Sequence, residues 1–221
     1  MRLIVLNCNL FCKIIVIIWF METKALFGIL SALFILIGIF PYLRDVYNKR
    51  VNPHILTWIG WAFITALGGS AMLASGSQWV VLILFANTFL CVFIAIYSIY
   101  KKVGIWSTTR WDYLFFGLGI IGLILWQTFD MPILALICSI LADFSFGMPT
   151  MIKTIKNPKT ETYFIWLTAS IADFFSLLSA KSFSFSELAF STYLFIFEFT
   201  MLLIILNDMR KRGSPSSADS R

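Results

Sequence analysis

The chain is divided into apolar runs about 20 residues long, separated by stretches too short to fold on their own. An α-helix needs roughly 20 mostly apolar residues to cross about 30 Å of hydrocarbon, and a lone apolar helix of that length has few other places to go. Seven runs meet the requirement, at 25–43, 54–74, 79–100, 111–128, 132–152, 162–180 and 187–207. Composition agrees, since 60% of the 221 residues are hydrophobic, 13% are charged and the mean hydropathy is +0.89. A soluble domain of this size has no interior large enough to hide so much apolar surface. The expected fold class is all-α: a polytopic membrane protein of seven transmembrane helices, each satisfying its own backbone.

The charges orient these spans, because Lys and Arg in short loops stay on the cytoplasmic side. Arg44, Lys49 and Arg50 follow the first span, Lys101, Lys102 and Arg110 the third, Lys153, Lys156 and Lys159 the fifth, and Arg210, Lys211, Arg212 and Arg221 the seventh. The intervening turns hold Lys181 alone. The alternation predicts an outside N-terminus, a cytoplasmic C-terminus and, in a bacterium, residence in the cell membrane. It also spreads the net charge of +6 over loops and tail, so no basic face is available for a nucleic acid. The partners expected are the lipid bilayer and a small polar solute, with a homo-oligomer compatible with the plan.

Punctuation supports the boundaries. Asn52-Pro53 and Asp130-Met131-Pro132 set a capping side chain beside a helix-starting Pro, and Ser184 with Glu187 reads as a capping box. Trp79, Trp106, Trp111 and Trp126 sit near span ends, where an interfacial aromatic belt is expected. Cys8, Cys12, Cys91 and Cys138 all lie in apolar stretches without a Cys-x-x-Cys pair, and the chain has one His. Disulfides, metal and cofactors are therefore not expected. Residues 1–20 are apolar but carry Asn7, Asn9 and Lys13. They read as a signal-like segment, an eighth helix, or an upstream extension with Met21 as the natural start; the last is favoured, because everything after Met21 is self-consistent without them.

An offset of 108 residues sets Pro41 on Pro149, Trp58 on Trp166, Leu26 on Leu134, Ser31 on Ser139 and Leu33 on Leu141. The element plan repeats with it: an apolar span with a Pro near its inner end, a basic loop, a span with an early Trp, a neutral turn, a third span and a basic cluster. Four spans separate the copies, so both enter the membrane with the same polarity and the extra helix inverts the chain between them. The expected organisation is an N-terminal extension (1–23), a three-helix repeat (24–102), a linker helix (103–130), a second repeat (131–210) and a disordered cytoplasmic tail (211–221).

Pro41-Tyr42-Leu43-Arg44-Asp45 with Lys49-Arg50, then Pro149-Thr150-Met151-Ile152-Lys153 with Glu161, followed by Asn87, Tyr97 and Tyr100-Lys101-Lys102 in the third helix, resemble the SWEET sugar carriers and the wider PQ-loop family over residues 24–210. Two departures stand out. The Gln of the Pro-Gln dipeptide is Tyr42 in one repeat and Thr150 in the other, and Glu198 stands in helix seven where the sugar carriers offer Asn. The resemblance implies two parallel three-helix repeats joined by a linker helix (3+1+3), with Pro41 and Pro149 as hinges between outward-open and inward-open states. The plain alternative for each Pro is a static kink.

Within the spans the ionisable residues are few, and Asp143, Asp173 and Glu198 all fall in the second repeat, opposite Ile35, Thr65 and Leu90. An intramembrane carboxyl group marks a cavity, an ion path or a proton relay by default. Asn87 and Glu198 are expected to face each other across a central cavity, with Trp58, Trp166 and Ser139 as further solute contacts. Proton coupling is assigned to Asp143 and Glu198, with Asp173 as a third candidate. Asp173 and Asn87 also fit as interhelical glue, Trp58 and Trp166 as interface anchors, and His54 as an exposed neighbour of a helix cap.

The leading function is a facilitative or proton-coupled carrier of a small polar solute. A receptor that binds cargo without moving it, as some proteins of PQ-loop type do, is the alternative, with the basic loops serving a cytoplasmic partner or anionic lipid. No catalytic residue is expected. His-Glu-x-x-His, Gly-x-Ser-x-Gly and a phosphate loop are all lacking, and Asp143 and Asp173 fall at unrelated depths for a protease dyad.

Overall fold

The computed structural model describes residues 22–106, 110–129 and 131–213. Residues 1–20, the tail beyond Gly213 and the cap expected at Asp130 lie outside the described residues. Among the described residues the chain is helical, with one isolated bridge between His54 and Ile105. The helices are α1 (Glu22–Tyr47), α2 (Ile55–Ala74), α3 (Leu82–Tyr100), α4 (Arg110–Phe129), α5 (Pro132–Lys156), α6 (Tyr163–Ser179) and α7 (Phe185–Gly213). Five of them, α1, α2, α3, α5 and α7, are long and apolar enough to cross a membrane. α6 is apolar but has only 17 residues.

Local chemistry explains the ends, and it corrects three sequence expectations. Pro53 does not open α2. His54 does, its buried ring accepting from Thr57 N–H at 3.3 Å, so His54 is the cap itself and not an exposed neighbour. Pro132 does occupy the first turn of α5, where its missing N–H costs nothing. The capping box at Ser184 does not form. Glu187 turns instead to the backbone N–H of Lys181 at 3.1 Å, tying the preceding turn to α7. α1 is interrupted at Gly38, and Pro41 gives the reason: it lacks the N–H that would bond Ile37, and its ring crowds that carbonyl. α5 runs unbroken past Pro149, so the two hinge candidates are not equivalent in this structure.

The helices run alternately up and down. One end gathers the basic loops: Ile55 and Ile105 pair by backbone, Lys153 donates to the Asn52 carbonyl at 3.2 Å, and Thr162 donates to Asp45 at 2.6 Å. The other end is tied by Lys24 to the Leu178 carbonyl, Ser77 to that of Ser186, and Lys181 to Gln78. α3 packs on α1 and α2, and α7 packs on α5 and α6. Across the middle, α2 packs on α5 and α1 on α6, while α4 lies against α5.

Two close approaches set these crossings. Gly38 of α1 abuts Thr168 and Ile165 of α6, and Gly60 of α2 abuts the Phe146 ring of α5. A shift of 108 residues turns one pair into the other. Small residues let helices approach where hydrocarbon gives no hydrophobic drive for them to associate. The outer surface is apolar, with Phe40, Phe89, Ile96 and Ile196 well exposed, whereas Thr65, Ser139, Ser176 and Ser191 are buried. The buried polar side chains share the interior with a large apolar core, and what departs from a soluble domain is the apolar outer surface.

Candidate functional site

At the centre of the bundle is a cavity of about 30 Å³, room for about two water molecules. Helices on both sides of the middle contribute its wall. Trp58 and Trp61 come from α2, Asn87 from α3, Asp143 from α5, Trp166 from α6, and Phe197 and Glu198 from α7. Asn87 and Glu198, chosen from sequence as partners across a cavity, both line it, as do Trp58, Trp166 and Asp143. Trp58 and Trp166 are 5% and 4% exposed, which places them in the core and away from the lipid interface.

The three carboxyl groups come together. Asp143 Oδ2 accepts from the Tyr193 hydroxyl at 2.7 Å, and its Oδ1 has no partner. Asp173, fully buried, has no donor on either oxygen and lies beside Glu198. Sequence position sets Asp143 and Asp173 at unrelated depths, but the structure brings both into electrostatic reach of Glu198. No Lys, Arg or His among the described residues lines the cavity.

No family model, no curated protein and no solved structure matches this chain.

Between the carboxyl groups and the basic end lies a knot of rings. Tyr42 and Trp58 have centroids 5.3 Å apart, as do Trp58 and Trp61, and Trp61 meets Trp166 at 6.4 Å and Phe197 at 6.2 Å. The Trp61 indole N–H donates to the Asp143 backbone carbonyl at 3.2 Å, which ties the knot to the helix carrying that carboxyl. Gly147 gives the Phe197 ring its place, for a Cβ there would stand 2.5 Å from the ring.

Ser139 does not reach the site. Its hydroxyl donates back to the Ala135 carbonyl at 2.8 Å and is absent from the cavity wall, the usual fate of a Ser inside a helix whose polar need is met locally. Asp173 stands behind Glu198, off the cavity wall. Sequence reasoning missed Trp61, Tyr193 and Phe197. A signal for Trp61 was present, since it lies three residues after Trp58 and so shares its helix face.

Beyond the knot, the basic end holds a buried ion pair. Lys153 Nζ stands 2.5 Å from Glu161, whose side chain is 2% exposed, and the same ammonium reaches the Asn52 carbonyl. Burial pushes the Glu161 carboxyl above the ordinary carboxylate range, and Lys153 opposes that shift.

Proposed function

We propose that this chain is a membrane carrier that moves a small polar solute by alternating access, with proton binding at its carboxyl groups coupled to the cycle. The observation that carries this reading is the convergence of Asn87, Asp143, Glu198, Trp58 and Trp166 on one enclosed cavity between helices from both halves of the chain. In this reading the helices form two parallel three-helix repeats, α1–α3 and α5–α7, joined by α4, in the manner of the SWEET and PQ-loop proteins. The reciprocal approaches Gly38–Thr168 and Gly60–Phe146 support it, because a twofold axis along the membrane normal would exchange them. So do the packing pairs outside α4, since α2–α3 matches α6–α7, α1–α3 matches α5–α7 and α2–α5 matches α1–α6.

A cavity of about 30 Å³ is too small for an organic solute and corresponds to a solute-free occluded state, closed toward the basic end by the aromatic knot and the Lys153–Glu161 pair. Opening toward the basic end separates α1 from α6 and α2 from α5, and the break at Gly38 is a place where α1 can bend. The basic end faces the cytoplasm, which sets the C-terminus inside.

Counterflow in proteoliposomes tests the proposal. Saturable exchange of a member of a panel of sugars, amino acids, polyols and organic cations, lost in Asn87→Ala and Glu198→Gln, is the expected result. No exchange of any panel member by protein shown to be folded, together with recovery of a stoichiometric protein partner, would transfer the chain to the receptor class.

A further inference from the structure

The cavity is more specific than its class. We infer that its solute is a small organic ammonium ion, exchanged for a proton that the Asp143, Asp173 and Glu198 carboxyl groups hold when the cation is absent. This rests on the carrier reading and adds the chemistry of the cargo.

Asp143 Oδ1 and Glu198 Oε2 lack any partner, although both residues are more than nine-tenths buried and line the cavity. With no basic side chain on that wall, an ionised carboxylate here is neutralised by a bound cation or by its own protonation. The groups facing these carboxyls from each neighbouring helix do not change that balance. α7 adds the Tyr193 phenol, α3 adds the Cys91 thiol beside Asn87, and the cavity walls from α1, α2 and α6 bring Ile35, Trp58, Trp61 and Trp166. None of these supplies a positive charge.

Trp61, Trp166 and Phe197 line the same cavity, and their rings pack on one another edge-on or tilted with centroids 6.2–6.4 Å apart, so an ion drawn to their faces enters as the rings part. Ring faces attract a cation within about 6 Å, and alkylated ammonium ions are the cations that such cages take. A hard metal ion fits less well, since apart from Asn87 and the carboxyl groups the described wall is aromatic and aliphatic and poor in the further oxygen ligands such an ion needs. A sugar would need neutral donors and acceptors around its hydroxyls, and Asn87 is the single amide among the described residues of the wall.

In the exchange the cation enters from one side, a carboxyl O–H ionises, and the proton leaves to water on that side. On the opposite side a proton re-forms the O–H bond and releases the cation.

The test uses the full chain in proteoliposomes, with radiolabelled choline as the probe and dimethylbutanol, its uncharged carbon isostere, as competitor. Choline uptake driven by an acid interior, reversed by an acid exterior and unaffected by the isostere is expected. Trp166→Leu should weaken half-saturation by about tenfold, and Glu198→Gln should remove the response to the proton gradient. If the isostere competes as well as choline, the inference is wrong. If sugars or neutral amino acids are exchanged while choline is not, the inference falls and the carrier stands. If nothing is exchanged, the carrier reading falls, and quenching of intrinsic Trp fluorescence decides the site by itself. Saturable quenching by choline, weakened by acid, supports a cation site, and none overturns it.

Discussion

Lys153 shows how much one side chain can settle. Its ammonium is the only cation paired with Glu161 among the described residues, and it also binds the carbonyl of Asn52. Because folding raises the Glu161 carboxyl, the folded chain holds that proton more readily than the unfolded one. Its contribution to stability is thus greatest below the ordinary carboxylate range and is lost as pH rises through the folded value. Removing Lys153 takes away the opposing pull and leaves a buried carboxylate unpaired. Lys153→Met should therefore lose about 2–4 kcal/mol at neutral pH, with the deficit shrinking on acidification and mostly recovered by adding Glu161→Gln. Thermal unfolding in detergent across a pH series reads both effects. Gly60 makes a second residue-scale case. A Cβ there would stand 2.7 Å from the Phe146 ring, itself fully buried, so Gly60→Leu should cost about 1–3 kcal/mol. Phe146→Ala in the same chain should return part of that loss, a coupling that a double-mutant cycle measures.

At the scale of elements, α1 and α5 illustrate what a sequence can and cannot tell. Their extents follow from apolar length and Pro punctuation, and the structure places them close to where those signals do. The effect of the two prolines does not follow, since Pro41 breaks its helix at Gly38 and Pro149 leaves α5 continuous. Whether a helix absorbs a missing hydrogen bond depends on its neighbours, and Gly38 is held by Thr168 and Ile165 across the interface. The same holds for the carboxyl groups. Their presence was visible as polar residues in apolar runs, but the meeting of Asp173 with Glu198 depends on how α6 and α7 are rotated about their axes, which no local pattern encodes. Ser139 misled for a similar reason, because a hydroxyl four residues from an acid on one helix face can bond its own backbone instead. If the break in α1 is a hinge, Pro41→Ala restores a backbone bond, raises the melting temperature and slows exchange. A higher melting temperature with unchanged exchange would leave Pro41 a static kink.

At the scale of the whole molecule, the described basic loops gather at one end of the bundle, which makes the orientation testable without any solute. A reporter fused after Arg212 that fluoresces only in the cytoplasm should be bright, and a cysteine placed at Gln78, at the opposite end, should react with an impermeant thiol reagent added outside intact cells. The reverse pattern would invert the molecule. The wall of the cavity carries one further consequence, for leakage. If cation and proton are the alternative occupants of these carboxyls, the empty, ionised site is the one state that cannot be carried through the low-dielectric middle of the bundle at reasonable cost. Such a carrier has no cheap way to return empty, so slippage is suppressed because no basic side chain among the described residues lines the wall, and the membrane stays tight whenever either partner of the exchange is missing.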